Sequence, residues 1–173
     1  GTYFLAGFTA MNKLYGVLEI SAVSYGYAMV TYTGQNYGAG RYDRIKSGVK
    51  KVVLLSLATS ILISIILWIF GPFFLSCFIS KTSEGAKQAM TYGLTFLRCL
   101  TAFLPILYLL HAYRSTIQGL SNALIPMVSG LFELFMRISG ALFLPIFFGK
   151  AGLYPVEVLA WVGAVVILIP SYY

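Results

Sequence analysis

Two oppositely charged residues lie one helical turn apart within a long apolar stretch. Glu133 and Arg137 are four residues apart, with the acid first, which is the favourable order for an ion pair on a helix. A charge at the centre of a bilayer costs about 2.5–3.5 kcal/mol on insertion scales, so it requires a partner or a function. The spacing fits mutual neutralisation, and it also fits a role in lining or gating a cavity.

Three more ionisable residues lie in apolar sequence. Glu19 fits either a cavity-lining position or a water-facing position near a membrane interface. Arg98, in the middle of GLTFLRCLTAFLP, is a further candidate for transport or gating. His111 is the only histidine; it could carry a proton at physiological pH or lie hydrated at a helix end. Cys77 and Cys99 lack the spacing of metal ligands and are interpreted as packing residues.

The segments that must position these residues are too apolar for a soluble globule. The chain has 173 residues, of which 59% are hydrophobic and 10% charged. Between Lys51 and Lys81 there are 29 uncharged residues, and a helix needs about 20 to cross a bilayer. We therefore predict an all-α, polytopic transmembrane helix bundle with about five spanning helices, at 14–39, 52–76, 88–112, 123–147 and 153–173.

A basic segment separates the first two predicted spans. Gly38 and Gly40 could take the left-handed backbone that ends a helix, with the Asn36 side chain bonding free carbonyls and Asp43 capping the next helix. Five Lys/Arg residues follow between Arg41 and Lys51, which predicts a cytoplasmic loop near anionic headgroups. Alternation then places 80–88 outside, 111–122 inside and 147–152 outside.

Two further features concern helix shape and packing. Pro105 could bend its helix, either as a fixed kink or as a bend that moves. Gly34 and Gly38 match the G-x-x-x-G packing motif, although a simple helix end explains them equally.

Several functions are excluded or disfavoured. The basic segment lies between two spans with no soluble domain, so we predict no nucleic-acid partner. The chain has no HExxH, GxSxG, P-loop or Cys/His ligand set, and its five acids look scattered, so we predict no enzyme activity and no cofactor. It begins and ends in apolar sequence, as expected for part of a longer protein.

Two stretches resemble the C-terminal half of the MATE (multidrug and toxic compound extrusion) family. They are TYTGQNYGAGRYDRIKSGV and RSTIQGLSNALIPMVSGLFELFMRI, the latter spanning Arg114 to Ile138. In this family a Gly-Gln-Asn-x-Gly-Ala run ends the second helix of each lobe, and a Gln-Gly turn precedes Pro, Glu and Arg. The matching motif positions are Gly34, Gln35, Asn36, Gly38, Gly40, Gln118 and Gly119.

The resemblance implies one lobe of a two-lobe, twelve-helix transporter, with the five spans as the eighth to twelfth helices. It implies efflux of cationic or amphiphilic small molecules by antiport with H⁺ or Na⁺, through alternating access between lobes, in the plasma or inner cell membrane. The partners are then membrane lipids and an N-terminal lobe outside this sequence.

The resemblance also bears on the coupling ion. Some members carry an acid on the tenth helix, but 88–118 contains none here, so we expect no high-affinity sodium site in this lobe. Proton coupling through the other lobe is the favoured expectation. Two alternatives stay open: a lipid-linked precursor flippase, which a basic central cavity would favour, and a non-transporting membrane scaffold.

Overall fold

The structure, a computed structural model, describes residues 2–79 and 85–173, which form helices and short connections. An all-α bundle is therefore confirmed for the described residues. The helices are α1 (Thr2–Gly38), α2 (Tyr42–Ser76), α3 (Ala86–Ala102), α4 (Leu104–Gly119), α5 (Leu124–Phe148) and α6 (Val156–Tyr172), with a 3₁₀ turn at Gly149–Leu153 before α6.

Helix α4 lies at the centre of the bundle. It packs against α1, α2 and α6, while α3 extends the contact with α1 and α2. Helix α5 packs mainly on α6 and touches α4 only slightly. The largest fully buried side chains come from four different helices, so a single core connects these helices. These side chains are Trp161, Tyr108, Phe96 and Met11.

Small residues let α1 approach the α3–α4 pair closely. A Cβ added at Gly119 would lie 2.6 Å from the Thr33 Cβ, and one at Gly26 would lie 2.6 Å from the Ser115 Oγ. A Cβ at Gly7 would collide with the backbone of α3. The predicted motif thus contributes to this contact through Gly34, which faces Gly119, while Gly38 faces open space.

The exposed faces differ among helices. The outer faces of α2 and α5 are apolar, as expected for contact with lipid tails, whereas the exposed side of α1 carries polar residues among its apolar ones. Its exposed polar residues include Thr9, Asn12, Lys13, Ser24, Thr31 and Gln35.

By length and composition, two described segments can cross a membrane, and the bent α3–α4 pair makes a third if it forms one span. The two are α2 and Leu124–Leu153. Helix α1 has 37 residues but is more polar, and α6 is apolar but has 17 residues. Spans at α1 and α6 therefore stay predictions.

The basic segment is helix rather than loop, which corrects the prediction. Helix α2 begins at Tyr42, because Lys and Arg are good helix formers and Asp43 lies in the first turn. Asp43 does not cap the helix, since Arg41 occupies the N-cap position and no side chain caps the helix there. The left-handed residue is Gly40, with φ +66°, while Gly38 is still helical. Asn36 donates to the Tyr32 carbonyl at 2.7 Å, within its own helix.

The helix bounds around the predicted span 88–112 and loop 111–122 differ from the prediction, while a membrane span in this region stays a prediction. The helix breaks at Phe103, and α3 and α4 meet at a 50° bend next to Pro105. After the bend α4 continues to Gly119, so the connection to α5 is only four residues long. Helix α1 begins twelve residues before the predicted start, because the single charge of Lys13 lies on an exposed face.

Candidate functional site

An ion-pair network joins α4, α5 and α6. Arg114 Nη2 donates to Glu133 Oε2 at 2.7 Å, and Arg137 Nη2 donates to Glu133 Oε1 at 3.1 Å. Arg137 Nη2 also lies 2.9 Å from Glu157 Oε2. The Ser129 hydroxyl accepts from Arg114 Nη2 at 3.3 Å. Both oxygens of Glu133 are therefore held by guanidinium groups from two helices.

Helix α5 places its part of the network on one inner face. The buried or partly buried side of α5 contains four residues at helical spacing: Ser129, Glu133, Arg137 and Gly140. The large apolar residues of α5 point outward. This orientation is expected in a membrane, where apolar side chains face the lipid tails and polar groups face the protein interior.

A second contact joins α1 to α4 in the same region. His111 Nε2 lies 3.9 Å from Glu19 Oε1. The His111 side chain is 17% exposed and lies in the middle of α4, which corrects its predicted position at a hydrated helix end. The Glu19 side chain is 40% exposed, beside the polar surface of α1. One turn before Glu19, Tyr15 stacks on Trp161 of α6 with ring centroids 5.9 Å apart.

The ion-pair network and the Glu19–His111 contact together contain three carboxylates and two arginines. Glu133 and Glu157 are paired with Arg114 and Arg137, whereas the only basic group within ion-pair distance of Glu19 in the described residues is His111. Three of the five acids of the chain are thus drawn together, which corrects the interpretation that they are scattered.

The other predicted site residues lie apart from this network. Arg98 is exposed on α3 and forms no ion pair with a described residue. Gln35 and Gln118 are exposed at the ends of α1 and α4. Pro105 lies in the first turn of α4, at the bend.

Two members of the network were missed in the sequence. Arg114 was placed in a loop, and Glu157, at the start of α6, was not considered as a site residue. Charge balance is the available signal: one carboxylate at Glu133 cannot neutralise two arginines in apolar surroundings, so a second acid is needed.

An aromatic cavity adjoins the network between α1, α3, α5 and α6. It has a volume of about 300 Å³, and its lining includes Arg137 and Glu157. Three rings contribute to the wall: Phe4, Phe8 and Phe96. Aromatic rings attract organic cations, and the Arg137 and Glu157 side chains in the same wall form an ion pair with each other.

An all-helical bundle with apolar outer faces and ionised groups inside is typical of a multi-pass membrane transport protein. The MatE family model matches residues 1–143, and the chain belongs to this family, a family of membrane transporters. The chain is also 23% identical over 107 residues to "Probable multidrug resistance protein YpnP" of Bacillus subtilis (strain 168). That match covers 62% of this chain and 23% of the relative. No solved structure matches the chain significantly.

Proposed function

We propose that the chain is one lobe of a two-lobe efflux transporter that exports organic cations in exchange for protons, by alternating access. Family membership and the printed name of the relative support efflux of drugs. The three phenylalanine rings in the wall of the aromatic cavity support a cationic substrate, since the charges of Arg137 and Glu157 in the same wall offset each other. Within this proposal the basic end of α2 is cytoplasmic.

The observation that carries proton coupling is the position of Glu19. Its carboxylate faces His111, whereas Glu133 and Glu157 are occupied by arginines. A sodium ion in this region would need hard oxygen ligands, and only Glu19 offers a carboxylate not already held by a guanidinium group. A proton requires just one such group. The sequence favoured a coupling site in the other lobe, and the Glu19–His111 pair gives this lobe a candidate of its own.

The flippase alternative is less well supported. Its anionic substrate requires free positive charge in a central cavity, but Arg114 and Arg137 are both bound by carboxylates. Arg98 lies outside the network.

The test uses the full-length protein in cells that lack other efflux pumps, with ethidium as the exported cation. We expect Glu19→Gln to remove most of the proton-driven efflux, because a glutamine amide cannot take up and release the coupling proton. Asp43→Asn is the matched control, since Asp43 is an exposed acid at the start of α2. Efflux should persist when potassium replaces sodium and stop when the proton gradient is dissipated.

Three outcomes contradict parts of this proposal. Absence of ethidium export by the unmodified protein contradicts efflux of organic cations. Sodium-dependent export that is lost in Glu19→Gln contradicts proton coupling. Proton-driven export that is unchanged in Glu19→Gln places the coupling site outside this pair.

A further inference from the structure

A large cavity opens at the end of the bundle where α1 turns into α2. Its volume is about 750 Å³, and it lies between the start of α2 and the ends of α4 and α6. The floor is apolar and the rim carries charge and aromatic rings. The floor includes Ile45, Val49, Ile117 and Leu120.

The rim of the cavity is positively charged. Lys46 and Lys50 are one turn apart on α2 and both line it. Both are exposed, and neither forms an ion pair with a described residue. Asp43 is the single acid between residues 41 and 51 and does not line the cavity. The two ammonium groups are therefore available to an anion.

Tyrosines complete the rim. Tyr37 packs edge-on against Tyr42, with centroids 6.0 Å apart, and Tyr172 packs edge-on against Tyr173 at 5.1 Å. All four line the cavity. Tyrosine is enriched at membrane interfaces, where its ring is apolar and its hydroxyl bonds headgroups.

A second, apolar groove continues from this cavity along α2. It has a volume of about 380 Å³ and shares Val49, Lys50 and Tyr173 with the first cavity. Its other lining residues on α2, Val53, Leu54 and Leu57, lie one to two turns beyond Lys50 and within the uncharged run of the helix. The combined surface has two lysines at one end and an apolar groove at the other.

We propose that this surface binds one anionic phospholipid from the leaflet at that end of the bundle. The phosphate contacts Lys46 and Lys50, and an acyl chain follows Val53, Leu54 and Leu57. Charge complementarity selects an anion, and the apolar groove selects an amphipathic one over free phosphate. The inference concerns a lipid-binding site and does not depend on which ion drives transport.

The headgroup is tested by native mass spectrometry of the full-length protein with phosphatidylglycerol and phosphatidylcholine. The Lys46→Gln/Lys50→Gln variant should retain about tenfold less phosphatidylglycerol than the Arg44→Gln/Lys51→Gln variant, since each lysine at an anionic group contributes a several-fold gain. The control pair removes the same charge from the same segment but does not line either cavity. Equal loss in both variants, or equal retention of the two lipids by the unmodified protein, overturns the proposal.

The acyl-chain groove is tested separately. Leu54→Trp fills the groove, whereas Leu55→Trp places the same ring on an exposed position outside it. We expect lower phosphatidylglycerol retention only in Leu54→Trp. Equal retention in the two variants contradicts the chain-binding groove, and displacement of the lipid by millimolar inorganic phosphate would show a small-anion site instead.

Discussion

At the scale of single residues, Arg137 links two carboxylates of the network. One nitrogen of its guanidinium group lies near carboxylates from two helices, Glu133 on α5 and Glu157 on α6. Glu133 has a second partner in Arg114, whereas the only basic partner of Glu157 among the described residues is Arg137. Loss of Arg137 therefore leaves Glu157 as the unpaired charge.

We expect Arg137→Leu to lower the free energy of unfolding by about 1–3 kcal/mol, because it leaves a mostly buried carboxylate without its partner. The Arg137 side chain is 42% exposed, so the effect falls below that of a fully buried pair. The Arg137→Leu/Glu157→Gln variant should recover most of the loss, whereas Glu133→Gln/Arg137→Leu should not, because Arg114 then loses its carboxylate as well.

Thermal unfolding in detergent, together with membrane yield, measures this difference. Arg98→Leu is the control, since Arg98 is exposed and outside the network. If both double variants recover equally, Glu157 does not depend on Arg137.

At the scale of secondary structure elements, the bend between α3 and α4 is held by side chains of α2. Pro105 has no N–H, so the Thr101 carbonyl four residues earlier lacks the usual helical donor and accepts a backbone N–H at the end of α3. The Ser64 hydroxyl donates to that carbonyl at 2.7 Å, and Trp68 Nε1 donates to Thr101 Oγ1 at 3.0 Å. These contacts favour a fixed kink over a mobile one.

We expect Ser64→Ala to cost about 1 kcal/mol of unfolding free energy, because the buried Thr101 carbonyl then keeps only its backbone donor at the end of α3. In a Pro105→Ala background the same change should cost less, since residue 105 then has an N–H that can reach this carbonyl. Ser76→Ala is the control, because the Ser76 hydroxyl bonds only the Phe73 carbonyl of its own helix. A cost of Ser64→Ala that is the same in both backgrounds contradicts this role.

The sequence predicted local features of these elements better than contacts between them. The Glu133–Arg137 pair follows from spacing alone, and the helix end near Gly40 follows from its glycines. The Arg114–Glu133 contact could not be predicted, because it depends on how α4 and α5 are placed in space. The start of α2 was wrong because a basic segment was interpreted as a loop, whereas Lys and Arg favour the helix even where residues 41–51 contain five of them.

At the scale of the whole molecule, charge is unevenly distributed along the bundle axis. Residues 41–51, at the start of α2, carry five Lys/Arg residues, whereas the described part of the opposite end carries Lys87 at the start of α3 and Lys150 between α5 and α6. This asymmetry predicts which end is cytoplasmic.

Cysteine labelling of intact cells tests this orientation in a full-length variant without native cysteines. A thiol introduced at Lys150 should react with an impermeant reagent from outside, and one at Ser47 should not. Ser83, the other external position expected from sequence, lies outside the described residues. The native Cys77 is exposed near the end of α2, so restoring it alone should also give external labelling. Labelling at Ser47 but not at Lys150 reverses the orientation.

The order of the charged residues along the chain has a consequence for biosynthesis. Arg114 is translated first, Glu133 and Arg137 follow together on α5, and Glu157 comes last on α6. Helix α5 thus leaves the ribosome with one acid and one base that can pair with each other, and the Arg114 guanidinium on α4 has already been synthesised. Glu157 then joins a helix that already offers Arg137. Glu133 and Glu157 are therefore each inserted after or together with an arginine partner, so neither of these two acids is exposed to lipid alone.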